Sequence, residues 1–487
     1  MNTIRENYFY NVLVNILNTL LPLISFPYIS RVLMPEGMGK AQFMLSTAQY
    51  FVVFAALGIP VYGVREIAKV KHLSHELSRV FWEIFVINVL SALLVSCFYL
   101  VIVLNYRPFA EDSAAFMAVG ILVFFSFLNI DWFYSGLEMF KQISLRSMII
   151  KLISLVALFL FVKTSADLFI YLLIVVFSFL GNQVWNFFIL RKYIRFSQVA
   201  LRLMRHVKPI LLNFGVLFAI SIYTVFDTIL LGLLASEEEV GYYAAAVKVS
   251  KVVIPIVTAL GVVLLPRLSA VMNQGKQEEV QRLTDRSFWY IGTLAIPIAI
   301  GLFAFADEFI FLFSGPAFID AVLPMKLMSP LVLVIGLAHL FAFQLLIPAK
   351  KEKWYLVAVT VGGICCVALN MFLVPRFLSS GAAVANLATE LLIALLSFLF
   401  ARRLFRVRLR WRWFVIKIGY VGLMFVLVAA FLRWVSADAF VVLLLGVPIC
   451  VALYFFMVIF VEKDRYLKDT LVTYYRKFVM QQKERGS

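Results

Sequence analysis

The sequence predicts an all-α polytopic membrane protein of about fourteen transmembrane helices, arranged as two six-helix lobes in parallel repeat plus two further C-terminal helices. Three observations predict it. Of the 487 residues, 63% are hydrophobic and 15% charged, with a mean hydropathy of +0.97, whereas soluble domains hold roughly 45–50% apolar residues. Apolar runs of about 20 residues recur from end to end, each long enough to cross a hydrocarbon layer of about 30 Å as a helix. Lysine and arginine gather in alternate loops, the bias that separates cytoplasmic loops from translocated ones.

Taken in order, the spans fall at 8–30, 41–62, 80–105, 115–135, 147–163, 167–190, 209–234, 240–264, 288–313, 324–347, 354–374, 382–400, 414–434 and 438–461. The first is too long for a signal-peptide core, lacks a small-residue cleavage site and precedes many further spans, so it is expected to stay in the mature protein. The fifth is short, and only a turn around Lys163 separates it from the sixth. Of the 44 basic residues, 33 lie at the N-terminus, in the loops after even-numbered spans or in the C-terminal tail, against six in the other loops. Both termini are therefore expected in the cytoplasm. The eight tryptophans lie near span ends, the depth at which amphipathic rings settle.

The second half restates the first. The layout of Arg31–Val70 recurs in GLLASEEEVGYYA…LLPRLSAV, with Gly39 and Arg65 matching Gly241 and Arg267 at one offset. Spans one to six then repeat as seven to twelve, which places 1–190 in an N-terminal lobe and 209–400 in a C-terminal lobe. Residues 191–208 form a cytoplasmic linker, 401–461 the two added helices and 462–487 a basic cytoplasmic tail. Halves repeated in one orientation are related by an axis along the membrane normal, with a site expected between them. Two loops could form surface helices, LSAVMNQGKQEEVQRLTDRS and RKYIRFSQVALRLMRHVK.

Several function classes fall away on composition. The net charge of +17 comes from short loops on one membrane side, so anionic headgroups explain it better than nucleic acid. Cys97, Cys365, Cys366 and Cys450 all sit in apolar runs without a second Cys or His pair at ligand spacing, and are read as small core residues with no metal. His72, His75 and His206 fall in basic loops. No loop holds a soluble catalytic domain and no P-loop is present, which disfavours an enzyme such as a membrane polymerase and any nucleotide hydrolysis within the chain.

The charges within spans carry the functional reading. Asp227 and Lys248 lie at equal distance from the acidic turn at Glu237–Glu238, so a rise of about 1.5 Å per residue puts them at one depth on adjacent antiparallel helices, where they can pair. Lys251 lies one turn deeper with no acid apparent nearby. Either these lysines meet a phosphate or pyrophosphate, with Asp227 holding one of them, or they form a structural ion pair beside a lysine that reaches for water. Glu390, near the middle of span twelve, is a candidate for a proton or coupling cation, or a carboxylate satisfied by a partner. Arg31 follows Pro22 and Pro27, which could kink span one, and is either a cavity residue or an interfacial anchor. Asp131 reads mainly as structural. Lys151 and Lys326 could line the same cavity, though both lie close enough to a span end to reach water. Asn15, Asn18, Asn213 and Asn386 are expected to bond neighbouring helices.

PYISRVLMPEGMGKAQF, LGIPVYGVREIAK, DWFYSGLEMFKQI and FDTILLGLLASEEEVGYYAAAVKV together resemble the Wzx-type oligosaccharide flippases of the multidrug/oligosaccharidyl-lipid/polysaccharide exporter (MOP) superfamily. Met34 departs from the glycine usual in the first of these turns. The resemblance covers nearly the whole chain. It implies two lobes in a V around a cavity in a bacterial inner membrane, and a multi-pass monomer that moves an undecaprenyl-pyrophosphate-linked repeat unit outward by alternating access. It implies cavity cations at Arg31, Lys248 and Lys251, with Lys326 added from the reading of the spans. Coupling to protons or sodium, no cofactor, and contact with lipids and other polysaccharide assembly proteins also follow from it. Asp227, Glu390 and Asp131 stand as charge partners or ion-coupling groups, and Pro22, Pro27, Pro255 and Pro297 as flex points. Rival readings are a drug/cation antiporter of the same superfamily, against which the excess of lysine over acid in the spans speaks, and a flippase for a lipid-linked peptidoglycan precursor.

Overall fold

The structure, a computed structural model, describes the backbone of residues 4–194, 201–405, 411–436 and 438–461. Among these residues every regular element is a helix. The first half comprises α1 (Ile4–Ala56), α2 (Ile59–Val70), α3 (Ser74–Asn105), the short α4 (Arg107–Ala110), α5 (Ser113–Phe124), α6 (Asp131–Gly136), α7 (Phe140–Phe161) and α8 (Leu168–Leu190). The second comprises α9 (Met204–Thr224), α10 (Phe226–Leu234), α11 (Glu237–Lys251), α12 (Ile254–Asn273), α13 (Gln277–Ala304), α14 (Ala306–Ser314), α15 (Val322–Met328), α16 (Leu331–His339) and α17 (Glu352–Leu404). Two further helices follow, α18 (Trp411–Val435) and α19 (Ala439–Phe456).

Eleven helices are long and apolar enough to cross a membrane, or twelve if the pair bent by 41° at Pro316–Met328 and Leu331–Leu346 is one span. Two helices run for 53 residues each, far beyond the roughly 20 a membrane needs, and each is broken once: α1 at Met34 (φ 61°) and α17 at Leu378 (φ 52°). A positive φ on a non-glycine residue costs energy, so each break is held by its surroundings. Pro35 follows Met34 directly and Pro375 precedes Leu378 by three residues, which removes backbone donors just where helical bonding is interrupted. The bend lies in the expected turn after span one, and that turn is one residue of broken helix where a longer loop was expected.

The proline expectations resolve unevenly. Pro22 and Pro27 sit inside α1 with no break of their own, and Pro297 lies inside α13. Pro255 opens α12, where its missing N–H costs nothing, immediately after the break that ends α11 at Lys251. The expected surface helix after span eight is instead the end of α12 and the start of α13, joined by a turn at Gly275 (φ 71°). Of the second expected surface helix, residues 195–200 lie outside the described residues, as does the tail 462–487. The remainder of that linker belongs to α9, which begins at Met204 and buries His206.

The two halves meet along α1 and α11. There the glycines matched by the internal repeat face each other's chain: a Cβ on Gly39 would lie 1.6 Å from the Glu237 carbonyl oxygen, and one on Gly241 would lie 2.2 Å from that of Pro35. Only hydrogen at both positions allows this approach of backbones, the same use of small residues that packs membrane helices elsewhere. Away from the seam, α3 turns Leu90, Leu94, Phe98 and Val101 outward, an apolar face suited to lipid, and Cys97 lies on that exposed face instead of in the core. Cys366 and Cys450 are buried as expected.

Candidate functional site

Each half buries ionisable groups at membrane depth, and the two sets are built differently. In the second half Asp227 opens α10 and is only 2% exposed. Its Oδ1 accepts from the Thr228 backbone N–H (2.7 Å) and hydroxyl (3.3 Å), and its Oδ2 from the Tyr243 hydroxyl (2.6 Å) and the Asn386 amide (2.9 Å). The expected pairing with Lys248 is not made. It is Tyr243 on α11 that reaches Asp227; Lys248 stands five residues further on, about 7.5 Å along the helix and about 140° around it. It therefore points elsewhere, with its ammonium 5.3 Å from the Phe26 ring centroid on α1. Phe26 stacks in turn on Phe313 (5.1 Å), so Lys248 lies half-buried where the two halves meet, and among the described residues no carboxylate pairs with it.

Lys251 ends α11 and does have an acid nearby: its charge acts on Glu390, from α17, which is 8% exposed. Glu390 in turn acts on Tyr223 and Tyr355, two tyrosines that share a hydrogen bond. One turn before Glu390, Asn386 leaves its Oδ1 without a partner, and so does Asn370, whose amide bonds Cys366. Asn386 thus links helices as expected, whereas Asn213 bonds Pro209 of its own helix. Side chains of Asn15 and Asn18 lie outside the described residues.

Two of the expected cavity cations are engaged by protein. Arg31 donates through Nη1 to the Pro27 carbonyl (2.6 Å) and through Nη2 to that of Leu312 (2.5 Å). The second bond places a guanidinium on the C-terminal end of α14, where unpaired carbonyls and the helix dipole favour it. This ties the first half to the second. Lys326 pairs with Asp307 at 2.8 Å, within a cluster that also holds Arg433 and Glu308.

In the first half Asp131 accepts from Arg146 Nη2 (2.9 Å) and from the Asn186 amide (2.7 Å). Arg146, 4% exposed, also donates through Nε to Asn182 (3.3 Å). Both groups line an open pocket of about 500 Å³ between α1, α7 and α8, and Lys151 lines it too. Because α7 begins at Phe140, Lys151 lies at the middle of the helix and not near an end. Arg146 escaped notice because it falls among the basic residues of a loop. The signal was present in periodicity, since Ser147, Lys151 and Ser154 follow one another at helical spacing within the span and Arg146 directly precedes them.

A second group of residues was read only as loop charge. Glu83 on α3 is buried and accepts from the Arg202 backbone N–H (2.7 Å), Arg205 Nε (2.9 Å) and Arg79 (3.2 Å), and bonds His206 (2.8 Å). His206 also meets the Tyr62 hydroxyl (2.7 Å). This cluster joins α3 of the first half to the start of α9 in the second.

The family model for "Polysaccharide biosynthesis protein" matches residues 4–272, more than half of the chain, and the MatE model matches 213–373. The chain is 24% identical over 415 residues to a "Putative O-antigen transporter" of Escherichia coli (strain K12), covering 82% of this chain and 98% of that protein. It is 26% identical over 181 residues to the "Probable flippase AglR" of Haloferax volcanii, covering 36% and 37% of the two chains. Among solved structures, the inward closed conformation of the lipid II flippase MurJ superposes with a TM-score of 0.76 at 14% identity, covering 93% of this chain and 99% of that one. An inward-facing multidrug resistance MATE transporter of the MOP superfamily gives 0.58 at 13% identity, covering 79% and 94%. These likenesses establish the fold as that of MurJ and MATE proteins. The relatives carry the names of transporters and flippases, and the chain belongs to the polysaccharide biosynthesis protein family.

Proposed function

We propose that the chain moves an undecaprenyl-pyrophosphate-linked oligosaccharide repeat unit from the cytoplasmic to the outer leaflet of a bacterial inner membrane. The lipid tail stays in the bilayer while the headgroup crosses a polar cleft between the halves. In this reading each 53-residue helix counts as two spans, which gives fourteen with the bent pair, and the basic loops and both termini face the cytoplasm. The chain works as a monomer that meets lipids and other assembly proteins.

The observation that carries this reading is the state of the charges within the helices. Asp131 and Asp227 each already accept several hydrogen bonds from protein, whereas Lys248 at the meeting of the halves has an aromatic face and no carboxylate. A lone ammonium at membrane depth costs about 2.5–3.5 kcal/mol, and an arriving pyrophosphate or acidic sugar offsets that cost. An anionic headgroup suits this site better than a cationic drug does.

Energy for one-way movement comes from a proton or sodium ion taken at Asp227. Its partners are all neutral donors, and the unpartnered Asn386 and Asn370 oxygens offer further acceptors of the kind a small hard cation uses. Alternating access follows from rocking of the halves about the Gly39–Gly241 seam on one face and the Glu83 cluster on the other.

The test is complementation of a deletion strain. Lys248→Ala is expected to reduce surface glycan at least tenfold while the protein remains in the membrane at wild-type amount; normal glycan would remove Lys248 from the path.

A further inference from the structure

Resting on the reading of Asp227 as the site of the coupling ion, we propose that Glu239 is a positioning residue for that site. By holding Ser379 it sets the register in which the second segment of α17 brings Asn386 to Asp227 and Glu390 to Lys251.

The need for such a residue begins at a break. At Leu378 (φ 52°, ψ −132°) α17 leaves helical geometry and then resumes, and the N–H groups just past a break are those a helix start leaves for outside acceptors. That of Ser379 is answered from another helix: it donates to Glu239 Oε2 at 3.0 Å. A carboxylate is an acceptor that a helix N-terminus favours, and here it comes from the first turn of α11 and not from the residues beside the break. The turn has little slack, because a Cβ on Gly381 would lie 2.5 Å from the Leu373 carbonyl oxygen. A non-glycine residue at positive φ is held by its surroundings, and Glu239 supplies a holding contact that crosses between elements.

The same two helices meet again further along. Glu239 precedes Ser379 by 140 residues, and Tyr243 precedes Asn386, and Lys251 precedes Glu390, by nearly the same interval. Tyr243 and Asn386 both reach Oδ2 of Asp227, at 2.6 and 2.9 Å, and the charge of Lys251 acts on Glu390. A near-constant interval means that α11 and the second segment of α17 run parallel, side by side, each residue rising about 1.5 Å. The Glu239–Ser379 contact stands at the head of this series. A slip of one residue there carries Asn386 about 1.5 Å along the helix and about 100° around it, away from Asp227, whereas a working site holds its groups to about 0.5 Å. The neighbouring glutamates face other ways: Glu237 lies 3.9 Å from Lys40 of α1, and Glu238 is exposed.

Thermal unfolding of the purified full chain in nanodiscs tests this. It is followed against sodium chloride at pH 8, with choline chloride keeping the ionic strength constant, and against pH from 8 to 6 without sodium. The ion response is the rise in unfolding temperature that Asp227→Asn abolishes, and its half-point is the quantity compared. Glu239→Ala is expected to move the half-point at least fivefold toward higher ion concentration. Glu239→Gln, whose amide oxygen still accepts from the Ser379 N–H, is expected to stay within twofold of wild type, as is Glu238→Ala. If Glu239→Ala yields no folded chain, Glu239→Asp, shorter by one methylene, decides the matter with an expected shift of at least twofold. A lowered unfolding temperature with a wild-type half-point would make Glu239 a structural cap alone and overturn the proposal while leaving the ion reading intact. A response that persists unchanged in Asp227→Asn, or no response in the wild type, removes the ion reading itself, and the proposal falls with it.

Discussion

Asp131 in the first half and Asp227 in the second are both held by an asparagine of a neighbouring helix, Asn186 and Asn386 respectively, yet they are answered in opposite ways. Asp131 meets a guanidinium, that of Arg146, with Lys151 lining the same pocket. Asp227 meets a tyrosine hydroxyl, a threonine and an amide, none of them charged. Asp227 thus has no counter-charge among its hydrogen-bond partners, whereas Asp131 has one. The two halves differ in how they answer a carboxylate: one with a guanidinium, the other with neutral donors alone.

The comparison breaks most readily at Asp227. Asp227→Asn keeps the shape and most of the hydrogen bonding while removing the charge, and is expected to cut export at least tenfold with little loss of folded protein, measured as surface glycan per unit of membrane-extracted chain. If export survives, the acid is structural and the second half loses its coupling role. Arg146→Gln should act first on stability. Losing one partner of a buried pair costs about 3–5 kcal/mol, and less here because the Asp131 side chain is 41% exposed. The expected fall in denaturation temperature should be partly recovered by adding Asp131→Asn, which removes the stranded charge; no recovery would mean the pair is not coupled. Lys326→Ala marks the small end. Its pairing with Asp307 is half-exposed, worth about 0–1 kcal/mol, and both export and stability should stay near wild type.

How far these features could be read from sequence depended on whether they were local. Run length and the alternation of basic loops gave the helical membrane class and the order of the spans, because both act within one helix or one loop. The glycine match at Gly39 and Gly241 was legible as a repeat, and the structure adds why: the two positions touch across the seam. Asp227 and Lys248 were expected to pair from their equal distance to the turn, but partnership depends on angle around a helix as well as distance along it, and only the second is counted easily. Lys251 finds Glu390 from a helix remote in sequence, which no local pattern announces. Arg146 was hidden by convention, since a basic residue beside an apparent span end looks like a loop charge until the helix is known to begin earlier.

The central claim is that positive charge where the halves meet receives a negatively charged headgroup. The most direct measurement is surface glycan in a deletion strain carrying Lys248→Arg, Lys248→Ala or Lys248→Glu at equal membrane abundance. The account predicts export retained by arginine, at least tenfold lower with alanine and lower still with glutamate. Wild-type glycan in the glutamate variant would contradict it.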